Sequence, residues 1–497
     1  MYYTKDINTL GTNMITWGIS ANSHDAALAV FSNNGLEFAS HSERFSKVKN
    51  DPDLNKQLID YAKQWGEPDE VIWYERPFIK TLRQLRAGQG LRLGENNIRK
   101  YLGSYGIHVP IRYTSHHHSH AAAGYYTSPF REACVVCIDS IGEFETLTIW
   151  RGHGSKLKRV FSQSYPHSIG LWYSAMTQRI GLKPNEDEYI LMGMAAYGDP
   201  KRQRNNMEDF IQRVDGPKVR FKHNLHRGCI DWRPTLTQTQ DHFDIAAATQ
   251  EKYELFLDRI LRWASINVNS DNLVLMGGCA LNCSANGKAY KFFKNVWIMP
   301  NPGDAGSAVG CVLAHKKEHM EMDHVYTGYN IEGDYPVEET VKELQTTGIC
   351  GVANGRAEFG PRALGNRSLF ADPRGADIKD RVNRIKRRQS FRPFAPAVLS
   401  EHVAEQFDGP TNSYMQFTAR CRNPDLYPAI THFDGTSRVQ VVKPDGSGIR
   451  RLLEAWYAAT GCPMLLNTSL NIKGKPIVND LTDAQEFATM YKIKVNT

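Results

Sequence analysis

An α/β fold in two units is predicted by three features of this 497-residue chain. Strand-sized apolar runs alternate with helix-length amphipathic stretches, and each run closes on a glycine or polar turn. A polar, weakly patterned stretch from 316 to 339 then separates two such series. Taken in order, ITWGIS and AALAVF are followed by SNNG and LEFASHSE, and Asn33-Asn34-Gly35 between strand-like runs is a hairpin signal. Ala133–Ile138 reads as a strand ending at Asp139, Ile245–Val268 as a helix closing in an NSDN turn, and Asn272–Met276 as a strand opening into Gly277-Gly278. In the second unit Ala395–Leu399 and Met464–Asn467 read as strands. The expected division is 1–325, a linker at 326–340, and 341–497. No internal repeat is legible.

Composition narrows the class. Charged residues at 23% and aromatics at 10% are ordinary globular values, which excludes wholesale disorder. No run approaches the roughly 18 apolar residues of a membrane helix, and MYYTKDINTLGTNMITW lacks the basic start and apolar stretch of a signal peptide. No membrane partner is expected. Nine cysteines, an odd number, fit a reducing compartment better than a disulfide scaffold. The expected location is the cytoplasm, a host's cytoplasm if the chain is viral. Net charge is +7, and two segments, 75–100 and 201–227, each carry a net +5. Such runs are either solvated faces or sites for phosphate-bearing ligands.

Three constellations carry chemistry. In SHHHSHAAAGYYTSPF, His116 and His120 are four apart and share one face of a helix, while His117 and His118 point elsewhere. As a bare motif this fits a surface histidine cluster as well as a metal grip. Asp139 and Asp304, the latter in the turn NPGDAG, would complete a mixed N/O site suited to Fe(II), Mn or Mg rather than a closed thiolate zinc site. In MGGCALNCSANG, Gly277-Gly278 after a strand could bring backbone N–H groups against a phosphate or ribose, or could be a packing turn. Cys279 and Cys283 sit among Ala and Leu and read as buried thiols, as do Cys134 and Cys137. The third set is GRAEFGPRALGNRS (355–368), IKRRQSFRPFAP (385–396) and LLNTSLN (465–471). Its cations among Gly, Pro and aromatics read as held by turns for a phosphate or carboxylate, against the alternative of ion pairs tying the turns together.

With these motifs in hand, the chain resembles the NodU/TobZ-type O-carbamoyltransferases. The resemblance runs from Ile15 to Val478 and rests on WGISANSHDAALAV, SERFSKVKND, HHHSHAAAGYYTSPF, KPNEDEYILMGMAAYG, GGCALNCSANGK, PGDAG, GRAEFGPRALGNRSLFADPR, FRPFAPAVL and LLNTSLNIKGKPIV. It implies an N-terminal domain of the actin-like ATPase fold, similar to tRNA threonylcarbamoyl-transferases, and a C-terminal YrdC-like domain. It also implies a reaction in which carbamoyl phosphate and ATP give carbamoyl-adenylate, whose carbamoyl group passes to an acceptor hydroxyl. By position, it places a divalent metal, Fe(II) first and Mn or Mg as alternatives, on His116, His120, Asp139 and Asp304. Carbamoyl phosphate falls on Arg362, Lys386, Arg392, Ser469 and Asn471, and the nucleotide on Lys49, Gly277, Gly278 and Asn282. His24 and Asp25 fall on the acceptor side, with His24 as the expected base. Two departures stand out: the family's HDAS appears as His24-Asp25-Ala26-Ala27, and little chain follows the serine–asparagine motif before Thr497.

The chemistry is coherent, because a dianion suits a pocket of arginine and lysine and a labile carbamate favours capture as an adenylate in a closed site. Two acceptors are expected, a small hydroxyl-bearing sugar or antibiotic-like metabolite, or 5-hydroxymethylcytosine in DNA. The basic segments, interleaved with Trp73, Tyr74, Phe78, Tyr101, Tyr105, Phe210 and Phe221, tilt the expectation toward DNA. A tRNA threonylcarbamoyl-type transferase is set aside because the C-terminal unit is fused, and a non-catalytic actin-like ATP-binding module because both units carry ligand sets. A homodimer is the expected assembly.

Overall fold

The computed structural model describes residues 14–322, 324–389, 391–392 and 394–497, so residues 1–13 of the stretch read for a leader lie outside it. Strands β1 (Thr16–Ser20), β2 (Ala27–Ser32) and β3 (Gly35–His41) form an antiparallel meander, and β4 (Glu70–Trp73) and β5 (Ile111–Tyr113) add in parallel on the other side of β1. The hairpin expected at Asn33–Gly35 is the β2–β3 turn, with Gly35 at φ 119°. Helix α1 (Pro77–Arg86) follows β4, and α2 (His116–Tyr126) follows β5.

A second sheet repeats this topology. Strands β6 (Glu132–Gly142), β7 (Glu145–His153) and β8 (Lys156–Ser164) are antiparallel, and β9 (Asn272–Met276) and β10 (Asn295–Trp297) lie parallel beyond β6. Both sheets therefore have the strand order third, second, first, fourth, fifth. Between β8 and β9 runs α3 (Thr239–Asn267), which starts six residues before the expected Ile245 because Gln238 and Asp241 build a capping box at its end. Strand β6 also runs past its expected end. Its pairing with β7 breaks after Ile138 and resumes at Gly142, so Asp139 occupies the irregular stretch.

Helix α4 (Ser307–Lys316) packs on the first sheet and α2 on the second, and the two helices pack on each other between the sheets. Gly310 makes that approach possible, since a Cβ there would lie 2.0 Å from the Ser119 carbonyl oxygen. Buried apolar side chains such as Trp17, Trp73, Val135 and Val309 fill the layers.

The C-terminal unit is a six-stranded mixed sheet in the spatial order Gln440–Val442, Ala395–Leu399, Met464–Ser469, Arg367–Ala371, Ile349–Ala353, Val495–Asn496. Helices Val337–Thr347, Gly448–Thr460 and Leu481–Tyr491 accompany it, and its core includes Trp456, Leu466 and Phe370. The expected linker at 326–340 is structured. Tyr326–Ile331 pairs antiparallel with Gly355–Glu358, and Thr327 Oγ1 donates to the Ala39 carbonyl at 3.1 Å. These long-range hydrogen bonds satisfy a backbone whose polar sequence carried no strand pattern.

Candidate active site

The first turn of α2 holds His116 and His120 on one face, as the four-residue spacing requires. His117 instead bonds Thr148 Oγ1 at 2.9 Å, and His118 stacks on Trp150. Buried Glu143 sits at the helix start, near His116 N–H at 3.4 Å, and is gripped by Arg76 through main chain and guanidinium. Asp139 arrives from β6 and Asp304 from the turn before α4. Asp139 Oδ2 lies 3.1 Å from His116 Nε2 and 3.7 Å from His120 Nε2; Asp304 Oδ1 lies 3.4 and 3.3 Å from the same atoms. The imidazole nitrogens are 3.1 Å apart. All four ligand atoms fall within 4.8 Å of one another. Ligands about 2.1 Å from one ion in tetrahedral array sit about 3.4 Å apart, so these residues fit a divalent cation. Burial disfavours charge here, but the Asp304 and Asp139 carboxylates hold the His116 imidazole well above its ordinary pKa, and the imidazoles hold both carboxylates low. Gly142 lines the back, where a Cβ would meet the His116 ring at 2.1 Å.

His24 stands on the loop between β1 and β2. Its Nε2 lies 2.9 Å from the Asn185 carbonyl oxygen and its Nδ1 3.1 Å from Asp25 Oδ2. A carbonyl only accepts, so Nε2 carries hydrogen, and a carboxylate favours hydrogen on Nδ1 as well. Burial lowers this pKa, yet the Asp25 carboxylate, with Asp304 and the carbonyl, outweighs it and raises the value to about 9. The raised value favours the imidazolium form, which argues against the expected role of His24 as the base.

In the C-terminal unit, Lys386 is buried and donates to Ser469 Oγ at 3.0 Å and to Asn471 Oδ1, so the end of the Met464–Ser469 strand places both partners as expected. Arg362 and Arg392 face the same cavity. Burial, together with Arg438, pushes Arg362 down to about 9. Of the other arginines in 355–368, Arg356 and Arg367 are structural, since both donate only to backbone carbonyls. Buried Glu358 accepts from the Leu364 and Asn366 N–H groups at 2.7 and 2.9 Å and so shapes the loop that carries Arg362. Sequence reading missed Arg438, whose buried Nε has no hydrogen-bond partner among the described residues, and Tyr189, whose ring lies 5.8 Å from Lys49 Nζ and 4.8 Å from the Arg392 guanidinium. Arg438 is a single arginine just after the Asp434-Gly435 turn, outside the three arginine-rich motifs. Tyr189 lies inside the quoted KPNEDEYILMG motif.

The residues expected to hold the nucleotide lie around the same cavity. Lys49, Gly278 and Asn282 line the cavity, while Gly277 N–H donates to the Pro302 carbonyl at 2.9 Å and Gly278 N–H to Asp139 Oδ1 at 3.3 Å. Gly277 is required by a close approach, since a Cβ would lie 2.2 Å from the Ile138 oxygen. The Asn282 amide is committed to Gln250 and to the Ala285 N–H. Through Gly278 this turn is bonded to Asp139, one of the four residues that fit a divalent cation. The cysteines read as thiols are free, and Cys134, Cys137 and Cys283 are buried.

Both clusters open into one cavity of about 1420 Å³, lined by His24, Asp139 and Asp304 at one end and by Arg362, Lys386, Arg392 and Ser469 at the other.

Residues 16–313 match the family described as Carbamoyltransferase N-terminus and residues 341–496 the one described as Carbamoyltransferase C-terminus. An uncharacterized Synechocystis protein, sll1178, is 33% identical over 94% of this chain and 93% of its own. Nodulation protein NolNO of Sinorhizobium fredii is 31% identical over 93% of this chain and 76% of its own. The 3'-hydroxymethylcephem-O-carbamoyltransferase of Amycolatopsis lactamdurans is 28% identical over 93% and 94%. Among solved structures, full-length HypF in its phosphate- and nucleotide-bound form aligns with a TM-score of 0.36 at 12% identity, over 61% of this chain and 46% of that one. With both halves of the chain matched in order, it belongs to the carbamoyltransferase family and is an enzyme of the NodU/TobZ O-carbamoyltransferase type.

Proposed function

We propose that the enzyme uses ATP and carbamoyl phosphate to carbamoylate an acceptor hydroxyl through carbamoyl-adenylate. The cation cluster of the C-terminal unit makes the adenylate, and the His24–Asp304 end of the cavity performs transfer. One observation carries this reading: two sites of different chemistry share a single cavity, so a labile intermediate need not leave the protein. The repeated sheet topology supports an actin-like N-terminal domain, 1–325, and the family resemblance is the ground for reading the C-terminal unit, 341–497, as YrdC-like.

Arg362, Arg392 and Lys386, with Arg438 added, bind the phosphates of both substrates. Water cleaves carbamoyl phosphate to carbamate and phosphate, the carbamate oxygen attacks the α-phosphorus of ATP, and pyrophosphate leaves. The acceptor oxygen then attacks the carbamoyl carbon and AMP departs. A divalent ion on His116, His120, Asp139 and Asp304 would supply positive charge for the phosphate and polarise the acceptor. His24, as an imidazolium, holds negative charge, and Asp25 takes the hydroxyl proton.

For the acceptor we favour a small hydroxymethyl-bearing molecule over 5-hydroxymethylcytosine in DNA. Of the fifteen basic side chains in the two segments, six pair with acids of the same chain: Arg76 with Glu143, Lys80 with Glu75, Arg92 with Glu95, Arg202 with Asp244, Arg204 with Glu251 and Arg213 with Asp215. The cephem relative, by its name, acts on a hydroxymethyl group. The experiment is a competition in one tube, with 3'-hydroxymethylcephem and 5-hydroxymethylcytosine DNA offered together with ATP and carbamoyl phosphate. The account predicts a carbamoyl mass increment on the cephem alone; an increment on the digested nucleoside would reverse it.

A further inference from the structure

Helix α1 is built the wrong way round for a surface helix. Its buried residues are Lys80, Thr81, Arg83 and Gln84, whereas Phe78, Leu82 and Leu85 are 64%, 39% and 51% exposed. Burial of apolar area would choose the opposite arrangement. Lys80 and Glu75 form an ion pair, Nζ–Oε1 2.6 Å, with side chains only 4% and 5% exposed. Two charges taken out of water gain little over a well-packed apolar pair, so stability alone does not explain them.

The inward polar face has a second set of contacts. Lys80 Nζ donates to the Asn22 carbonyl at 2.5 Å, and the Asn22 side chain donates to the Glu95 carbonyl at 2.8 Å. Asn22 opens the loop that carries His24 and Asp25. That loop has two non-glycine residues in the left-handed region, Asn22 at φ 61° and Asp25 at φ 51°. Such backbone persists only where surrounding contacts over-determine it. Besides α1, contacts that hold the loop include Asn22 N–H to the Pro52 carbonyl at 2.6 Å, Ala26 N–H to the Asp51 carbonyl at 2.8 Å, Ser42 N–H to the Ala26 carbonyl at 2.7 Å and His24 Nε2 to the Asn185 carbonyl at 2.9 Å.

Glu75 has neighbours that reach the metal-binding helix. The Tyr74 ring packs 5.3 Å from that of His116, and Arg76 grips the Glu143 that sits at the start of α2. Three consecutive residues thus tie the His24 loop, the His116 ring and the α2 N-terminus to one strand end.

We propose that the buried Glu75–Lys80 pair is a positioning device for the acceptor loop Asn22–Asp25, holding it in register with α2 without touching substrate. The catalytic meaning of the loop rests on the reading given above, but the clamp itself can be tested independently of it. The variant is Glu75→Leu with Lys80→Met, which removes both charges together, and Lys80→Arg is the conservative control. Readouts are amide exchange over residues 21–27, the His24 titration midpoint by NMR, and carbamoyl-phosphate-dependent pyrophosphate release without acceptor. In the double variant the folded protein should keep pyrophosphate release within about twofold. Exchange over 21–27 should rise about tenfold or more, and the His24 midpoint should fall by about one unit or more. Lys80→Arg should stay near the wild type in all three. Unchanged exchange and an unchanged midpoint in the folded double variant would overturn the clamp. A wild type that releases no pyrophosphate would instead overturn the functional reading, and the loop readouts would still decide this inference.

Discussion

Replacing Asp25 by Asn should bring the His24 titration midpoint down from about 9 toward 6.5, followed by NMR of the ring protons. Because the folded value is raised, the stabilisation is complete below pH 6.5 and is lost as pH rises through about 9. The stability difference between wild type and Asp25→Asn should therefore shrink above that pH. It should also be small, since the ring is 40% exposed and the pair is screened. A midpoint unmoved in the variant would remove Asp25 as the cause. At this scale the ligand types were legible from local pattern, with the two histidines one helical turn apart and Asp304 in a Gly-flanked turn. The surroundings of Gly278 and Asn282 were not legible, because each is bonded to a residue distant in sequence, Asp139 and Gln250, and at His24 the neighbouring Asp25 was legible but the Asn185 carbonyl was not.

At the scale of elements, the metal group depends on α2 sitting tightly against the β6–β7 connection. Gly142→Ala should push the His116 ring off its position and destabilise the fold by about 1–3 kcal/mol, the usual cost of overpacking. Thermal unfolding and bound metal per chain check this, and a variant with wild-type melting and full metal content would contradict it. Strands with strong apolar runs were legible almost to the residue, as Asn272–Met276 and Ala395–Leu399 are. The start of α3 and the strand Tyr326–Ile331 were not. The first is decided by a side-chain cap, the second by hydrogen bonds to residues 355–358. The reversed helix α1 has the same cause: polar residues went inward because an ion pair and a strained loop needed them there.

Across the whole molecule, the two units are joined by specific contacts. Buried Arg44 donates to the Gly360 carbonyl at 3.0 Å, two residues before Arg362, and Lys47 pairs with Asp480 and Asp483. Arg356 reaches the Glu37 carbonyl at 2.6 Å. The repeated topology of the two N-terminal sheets left no trace in the sequence, because backbone pairing order constrains which faces are buried and not which apolar residue fills them. The shared cavity was equally illegible, being made by packing residues that are hundreds of positions apart. The central claim is that this one cavity holds two separable steps, and pyrophosphate release measured without acceptor tests it most directly. With ATP and carbamoyl phosphate, the wild type should release pyrophosphate only when both are present. Arg392→Ala should abolish that release yet recover transfer when given pre-formed carbamoyl-adenylate, while His116→Ala and Asp304→Ala should keep release and lose transfer together with metal. Release independent of carbamoyl phosphate, or equal loss of release in all three folded variants, would contradict the account.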